Sequence, residues 1–180
     1  RIVAATDELH VFGRVTALMI VTLVVLMSTH VIELGVWAST YAALGIAYLV
    51  RGDLEAALEA SRKAIQLDEG SITGLYALGR VFLTTGKFAE AHDVFERLVE
   101  VNPDFYPGLQ GLQAAHAGMG DAAIAMELTR RLVAYFPGYL ARAPDDARAH
   151  ILFASYLAEV GEREQAMLEA DTALALGGHD

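Results

Sequence analysis

Apolar residues recur along this chain at helical spacing, in blocks that each run to a glycine and start again. From residue 38 onward this happens four times, at Gly52, Gly86, Gly120 and Gly161. The first three glycines stand 34 residues apart, and the fourth is displaced by a seven-residue insertion at 140–146. A fixed spacing near 34 residues marks stacked helix pairs, in which no unit buries its apolar face alone. The pattern predicts an all-α chain. Its α-solenoid holds about four helix hairpins, with repeats near 38–71, 72–105, 106–139 and 147–180 of a domain covering 38–180.

The pattern differs upstream. Residues 15–32 read VTALMIVTLVVLMSTHVI, 18 positions without a formal charge. As a helix they extend about 27 Å, close to the hydrocarbon thickness of a bilayer. Ten of the 18 are Val, Ile or Thr, a strand-like bias in water, but in lipid the backbone must satisfy itself and helix wins. The expectation is a 1–14 tail and a transmembrane helix at 15–34. Trp37 and Tyr41 follow where an interfacial belt would lie, with packing under the first repeat as the alternative for Trp37. Val36-Trp37-Ala38 would pass as a signal-peptide cleavage site, but the apolar core is longer than such peptides carry. Arg1 and Arg14 precede the span and the next positive charge is Arg51. The positive-inside rule then puts the N-terminus in the cytoplasm and the repeats outside, in the periplasm if the cell is bacterial.

Aligning the glycines brings out columns. The first unit has Leu44-Gly45, Tyr48, Ala57 and Ala64, and the second Leu78-Gly79, Phe82, Ala91, Phe95 and Pro103. The third has Leu112-Gln113, His116, Ala125, Thr129, Leu132 and Pro137, and the fourth Phe153-Ala154, Leu157, Ala166, Ala170 and Ala173. Small residues allow close helix approach and large ones fill the gaps between units. Glycine at each turn tolerates positive φ after a helix end. Prolines 103 and 137 are expected to end helices, since the residue before proline leaves the α region. Asp146 is a ready cap for a helix beginning at Ala147. Gly108, Gly111 and Gly118 should make the first helix of the third unit the loosest. Glu162, Glu164, Glu169 and Asp171 give the fourth unit a polar outer face.

These columns resemble the tetratricopeptide repeat family over roughly residues 38–178. The third unit departs from it, with Gln113 where Gly or Ala is usual and His116 where an aromatic is usual. The resemblance implies that the first helix of each hairpin lines a concave, partner-binding surface. The matching positions are Ala42, Ile46 and Leu49, then Thr73, Tyr76, Arg80 and Leu83, then Gln110, Ala114 and Ala117, and finally Arg148, Ile151 and Ser155. Some of these positions have inward packing as their alternative. Members that clamp acidic chaperone C-termini place Lys and Asn in these helices. Here Ala42, Ile46 and Ala77 stand there instead, so that activity is not expected.

Charge and composition narrow the chemistry. The chain is 54% hydrophobic and carries a net charge of −10, with no cysteine. An acidic surface without a basic stripe argues against nucleic acid, and the missing thiols exclude disulfides, thiolate catalysis and Cys-ligated clusters. Gly86-Lys87 lacks the preceding glycine of a phosphate loop, and no Gly-x-Ser-x-Gly elbow exists. Glu90, Asp93, Glu96 and Glu100 lie three or four apart along one helix and could coordinate a cation, but Arg97 lies among them and the pattern is that of a solvated face. The six histidines are scattered, with no pair three or four apart, so no helical metal site is expected. His92, His116 and His150 read as packing positions. His30, inside the span, is a candidate ligand for haem or chlorophyll or a bond to a neighbouring helix. Its alternative is a ring bonding lipid headgroups or water.

The expectation is a non-enzymatic, single-pass membrane protein without a cofactor. It would bind subunits of a membrane complex (photosynthetic, respiratory or cytochrome-maturing) as scaffold, assembly factor or accessory subunit, and touch lipid through its anchor. The alternatives are a chaperone-like receptor for secreted chains and a cofactor-binding membrane subunit using His30.

Overall fold

The structure, a computed structural model, describes Met27, Thr29 and residues 31–177. His30 and most of the 15–32 span lie outside the described residues. Among the described residues eight helices follow one another: α1 (Val31–Arg51), α2 (Leu54–Leu67), α3 (Ile72–Thr84), α4 (Phe88–Val101), α5 (Tyr106–Met119), α6 (Ala122–Leu140), α7 (Ala147–Val160) and α8 (Arg163–Gly177). There is no strand among them. Helices α2 to α8 each pack on the next, and α3 also meets α5, so the chain folds as a one-dimensional stack of hairpins.

The four turn glycines do the same work. Gly52, Gly86, Gly120 and Gly161 have φ of +79°, +72°, +86° and +94°. In each case the glycine N–H bonds the carbonyl three residues back, at 3.1–3.2 Å, and the next N–H reaches five residues back, at 2.9 Å. This double closure satisfies carbonyls that the helix end leaves open. Three helices begin on side-chain caps: Asp53, Ser71 and Asp146 accept from the backbone N–H of Ala56, Gly74 and Ala149.

Small residues bring the helices together. Ala57, Ala91, Ala125 and Ala166 are all buried. A Cβ added at Gly45 would stand 2.5 Å from the Ser61 hydroxyl of α2 and 3.4 Å from Ala77 of α3. Phe95 of α4 is fully buried between two backbones: Gly79 of α3, where a Cβ would lie 2.7 Å from the ring, and Gly111 of α5, where a Cβ would run into it. Gly118 receives Phe88 in the same way, and Gly108 lies against Val99 and Leu98. The glycines that lower the helix propensity of α5 are thus its contact points with α4. Around Phe95 gather Leu75, Leu78, Phe82, Ala91, Leu98 and Ala115. A second core forms where α6 meets α7, from Leu132, Phe136, Leu140, Phe153, Tyr156 and Leu157.

Two expectations are corrected. Pro137 does not end its helix, because α6 continues through it to Leu140. Leu132, Phe136 and Leu140 form one buried stripe across the proline, and their burial outweighs the missing amide bond. In the second unit Asn102 occupies the place of Phe136, and its side chain accepts from the Asp104 amide at 3.2 Å. There α4 stops at Val101, before Pro103. Glu169 does not belong to a polar outer face. It is turned inward, 2.6 Å from His150.

Candidate interaction surface

The first helices of the hairpins (α1, α3, α5 and α7) carry the expected partner-binding positions. Thr73, Arg80, Ala117, Arg148, Ile151 and Ser155 are exposed, and Ile46, Leu49, Tyr76, Leu83, Gln110 and Ala114 are partly buried. Ala42 does not line an open surface. It is 1% exposed, and it continues a buried helical stripe with Ala38 and Gly45 that packs toward α2 and α3.

On α3, Arg80 donates to the Tyr76 hydroxyl at 2.8 Å and holds its guanidinium 5.7 Å from the Tyr76 ring centre. The same ring meets Phe105 edge-on at 5.9 Å. Arg80 thus stands on an aromatic support with no carboxylate at ion-pair distance among the described residues. Further along, Tyr106 contacts Tyr135, Phe136 and Tyr139 at 5.3–6.1 Å between ring centres, a cluster that sequence spacing alone did not bring together.

Two tyrosines of this cluster donate hydrogen bonds. The Tyr139 hydroxyl donates to Asp146 at 2.8 Å, and Tyr135 to the Asp104 carbonyl at 2.7 Å. The Asp146 hydrogen bond, then burial, then the Asp146 charge push Tyr139 up to about 12. Burial does most to push Tyr156 up to about 12, against a lowering contact from Gln110. Burial and the Asp146 charge raise Tyr106, while Arg148 opposes them. Asp146 itself is lowered, chiefly by the Ala149 amide that it caps, against a burial effect that raises it. Tyr106, Tyr139 and Tyr156 are all pushed further from neutral pH, so none of the three is poised as a base or nucleophile there. They offer hydrogen bonds and aromatic area.

Two large clefts lie beside this face. One, about 710 Å³, runs between α1 and α2 past Tyr41, Tyr48, Glu59 and Lys63. The other, about 640 Å³, lies between α7 and α8 and includes Ile151 and Ser155 together with Ala154, Ala170, Met167 and Leu174. Near it, His150 is buried with both nitrogens occupied, Nδ1 by Glu169 at 2.6 Å and Nε2 by the Pro144 carbonyl at 3.0 Å. Two acceptors require two N–H donors, so the geometry fits the imidazolium. Burial pulls its pKa down most. The Glu169 and Pro144 hydrogen bonds and the Glu169 and Asp146 charges together raise it above 6.5.

Histidines 92 and 116, distant in sequence, come into ring contact across α4 and α5. Among the described residues no three His, Asp or Glu side chains converge as a metal cage.

A tetratricopeptide repeat family model matches residues 48–115. A solved thermophilic tetratricopeptide protein of Thermus thermophilus is 23% identical, with a TM-score of 0.62 over 77% of this chain and 74% of that one. The array is a tetratricopeptide-type solenoid. Two structures of MamA share the fold. One, from Desulfovibrio magneticus RS-1, is 21% identical at a TM-score of 0.54 and covers 82% of this chain and 79% of its own. The other is 22% identical at 0.52, covering 78% of each chain. No curated protein sequence matches. A tetratricopeptide stack presents an extended surface for protein partners.

Helix α1 is long and apolar enough to cross a membrane by length and composition, as a core helix or a signal sequence also is. Its stretch, Val31–Arg51, lies downstream of the expected 15–34 span and overlaps it at residues 31–34. From Ala38 onward α1 buries its small-residue face in the first hairpin.

Proposed function

We propose that this chain is a membrane-anchored, non-enzymatic scaffold. Its helix α3–α5–α7 face docks a segment of another subunit of a membrane complex. The observation that carries the reading is the composition of that face. Tyr76, Gln110, Ala114 and Ile151 give aromatic and apolar contact, while Arg80 and Arg148 supply positive charge on a chain of net charge −10. Such a surface favours an extended or helical apolar segment that carries an acidic group. The anchor reading rests on the uncharged 15–32 sequence and on the apolar start of α1, where Val31, Ile32, Val36 and Trp37 are all more than half exposed. A helix continuing upstream from there would put its apolar surface in lipid and leave the hairpins in the aqueous phase, periplasmic if the cell is bacterial.

The test is purification from native membranes in mild detergent, with wild type beside an Arg80→Glu/Ile151→Asp variant. Wild type should resist alkaline extraction and co-purify with stoichiometric integral membrane subunits. The variant should remain in the membrane without them. Recovery of wild type as a lone monomer would refute the scaffold role, and release by alkali would refute the anchor.

A further inference from the structure

We propose that His92 and His116 form a two-imidazole site for a divalent transition ion of the zinc class, clipping α4 to α5. The residues are 24 apart in sequence, and the packing of the second hairpin on the third brings their ring centres to 5.0 Å with planes at 84°. Two imidazoles sharing a tetrahedral ion at Zn–N distances of roughly 2.0–2.1 Å have ring centres about 5 Å apart.

The nitrogens are sorted for this task. Nδ1 of His92 faces Asp93 at 3.2 Å, and Nδ1 of His116 faces Asp121 at 3.2 Å. In the tautomer with the proton on Nδ1, each carboxylate accepts from that nitrogen and Nε2 is left free for a metal, the usual outer-shell arrangement of metal-bound histidine. Neither Nε2 bonds another described residue, and neither is a buried, unpartnered atom. Both therefore reach solvent. The side chains are 27% and 14% exposed, open enough for entry and covered enough to hold their rotamers. Asp121 is held in turn, because its backbone N–H closes the Gly120 turn on the His116 carbonyl at 2.9 Å.

No third protein ligand converges there among the described residues, so water completes the coordination. The site is exchangeable and of moderate affinity. Imidazole nitrogen selects zinc, copper or nickel over magnesium or calcium.

The experiment uses tag-free protein stripped with chelator and titrated with zinc chloride alone by calorimetry. One equivalent should bind in the micromolar range and raise the melting temperature, while magnesium should produce no heat. His92→Gln and His116→Gln should each weaken binding at least about 10-fold, and the pair should abolish it. Asp121→Asn, a positioning change, should weaken it roughly 10–100-fold. His150→Gln should leave it unchanged. In wild type, imidazole nitrogen resonances report directly: zinc should shift Nε2 of His92 and His116 and not His150. This holds even if a variant folds poorly. Absence of saturable zinc binding, affinity unchanged in the double variant, or unshifted His92 and His116 resonances would overturn the site.

Discussion

Replacing Gly111 by alanine sets two effects against each other. Alanine in a helix interior is better than glycine by about 1 kcal/mol. At position 111, however, the new methyl would run into the Phe95 ring, which is fully buried and backed on its other side by Gly79. Relieving that overlap means moving α4 against α5 or forcing the ring off its rotamer, at a cost of about 1–3 kcal/mol. The contact is closer than at Gly79, which puts Gly111→Ala near the upper end. The net loss is then about 1–2 kcal/mol after the helix gain. For a domain of this length that lowers the melting temperature by roughly 2–8 °C, measured by far-UV circular dichroism. Gly138→Ala is the control. Position 138 is also helical, but nothing lies within 4 Å of the added Cβ, so only the propensity gain remains and stability should rise by about 0.5–1 kcal/mol. A Phe95→Leu background should reduce the cost of alanine at 111, giving a coupling of at least about 0.5 kcal/mol. If Gly111→Ala melted at or above wild type, or the two changes were additive, the two-sided packing of Phe95 would be wrong.

The other predictions concern caps, turns and pH. Glu169→Gln removes the partner that holds His150 above 6.5. A raised folded value adds stability that is fully present below the unfolded value of about 6.5 and is lost as pH climbs from there through the higher folded value. The melting-temperature gap between wild type and variant should therefore be widest at acid pH and narrow above neutrality. A constant gap from pH 5 to 9 would count against the imidazolium. Asp146→Ala loses the cap on Ala149 and the acceptor of the Tyr139 hydroxyl, and should cost about 1–2 kcal/mol in urea unfolding. In the same variant the Tyr139 phenol should ionise below its value of about 12, read from the tyrosinate absorbance. Gly120→Ala forces a side chain into φ +86° and should destabilise by about 1–2 kcal/mol. An unchanged melting curve would mean that the turn had already relaxed.

Much of the stack was written in the sequence because its rules are local. Glycines 52, 86, 120 and 161 and alanines 57, 91, 125 and 166 can be read as turn and contact positions, since each constraint acts within one hairpin. Pro137 misleads because its local effect is outweighed by the burial of Phe136 and Leu140 on either side of it. Ala42 misleads for a related reason. A small apolar residue suits a groove wall and a helix contact equally, and only the placement of α2 and α3 decides. What joins α4 to α5, or α7 to α8, carries no fixed spacing. The His92–His116 contact and the His150–Glu169 pair depend on how one helix is rotated against another. That rotation is set by side-chain fit such as Phe95 between Gly79 and Gly111. The sequence could suggest the face formed by α3, α5 and α7, but not its arginine resting on Tyr76.

Helix α8 fully buries only Ala166 and Ala173, whereas α3 fully buries seven residues. Burial is therefore graded among the described helices, dense around α3 and sparse along α8. Local opening should reach α8 before the enclosed Phe95, so amides of α8 should exchange ahead of those of α3 and α4.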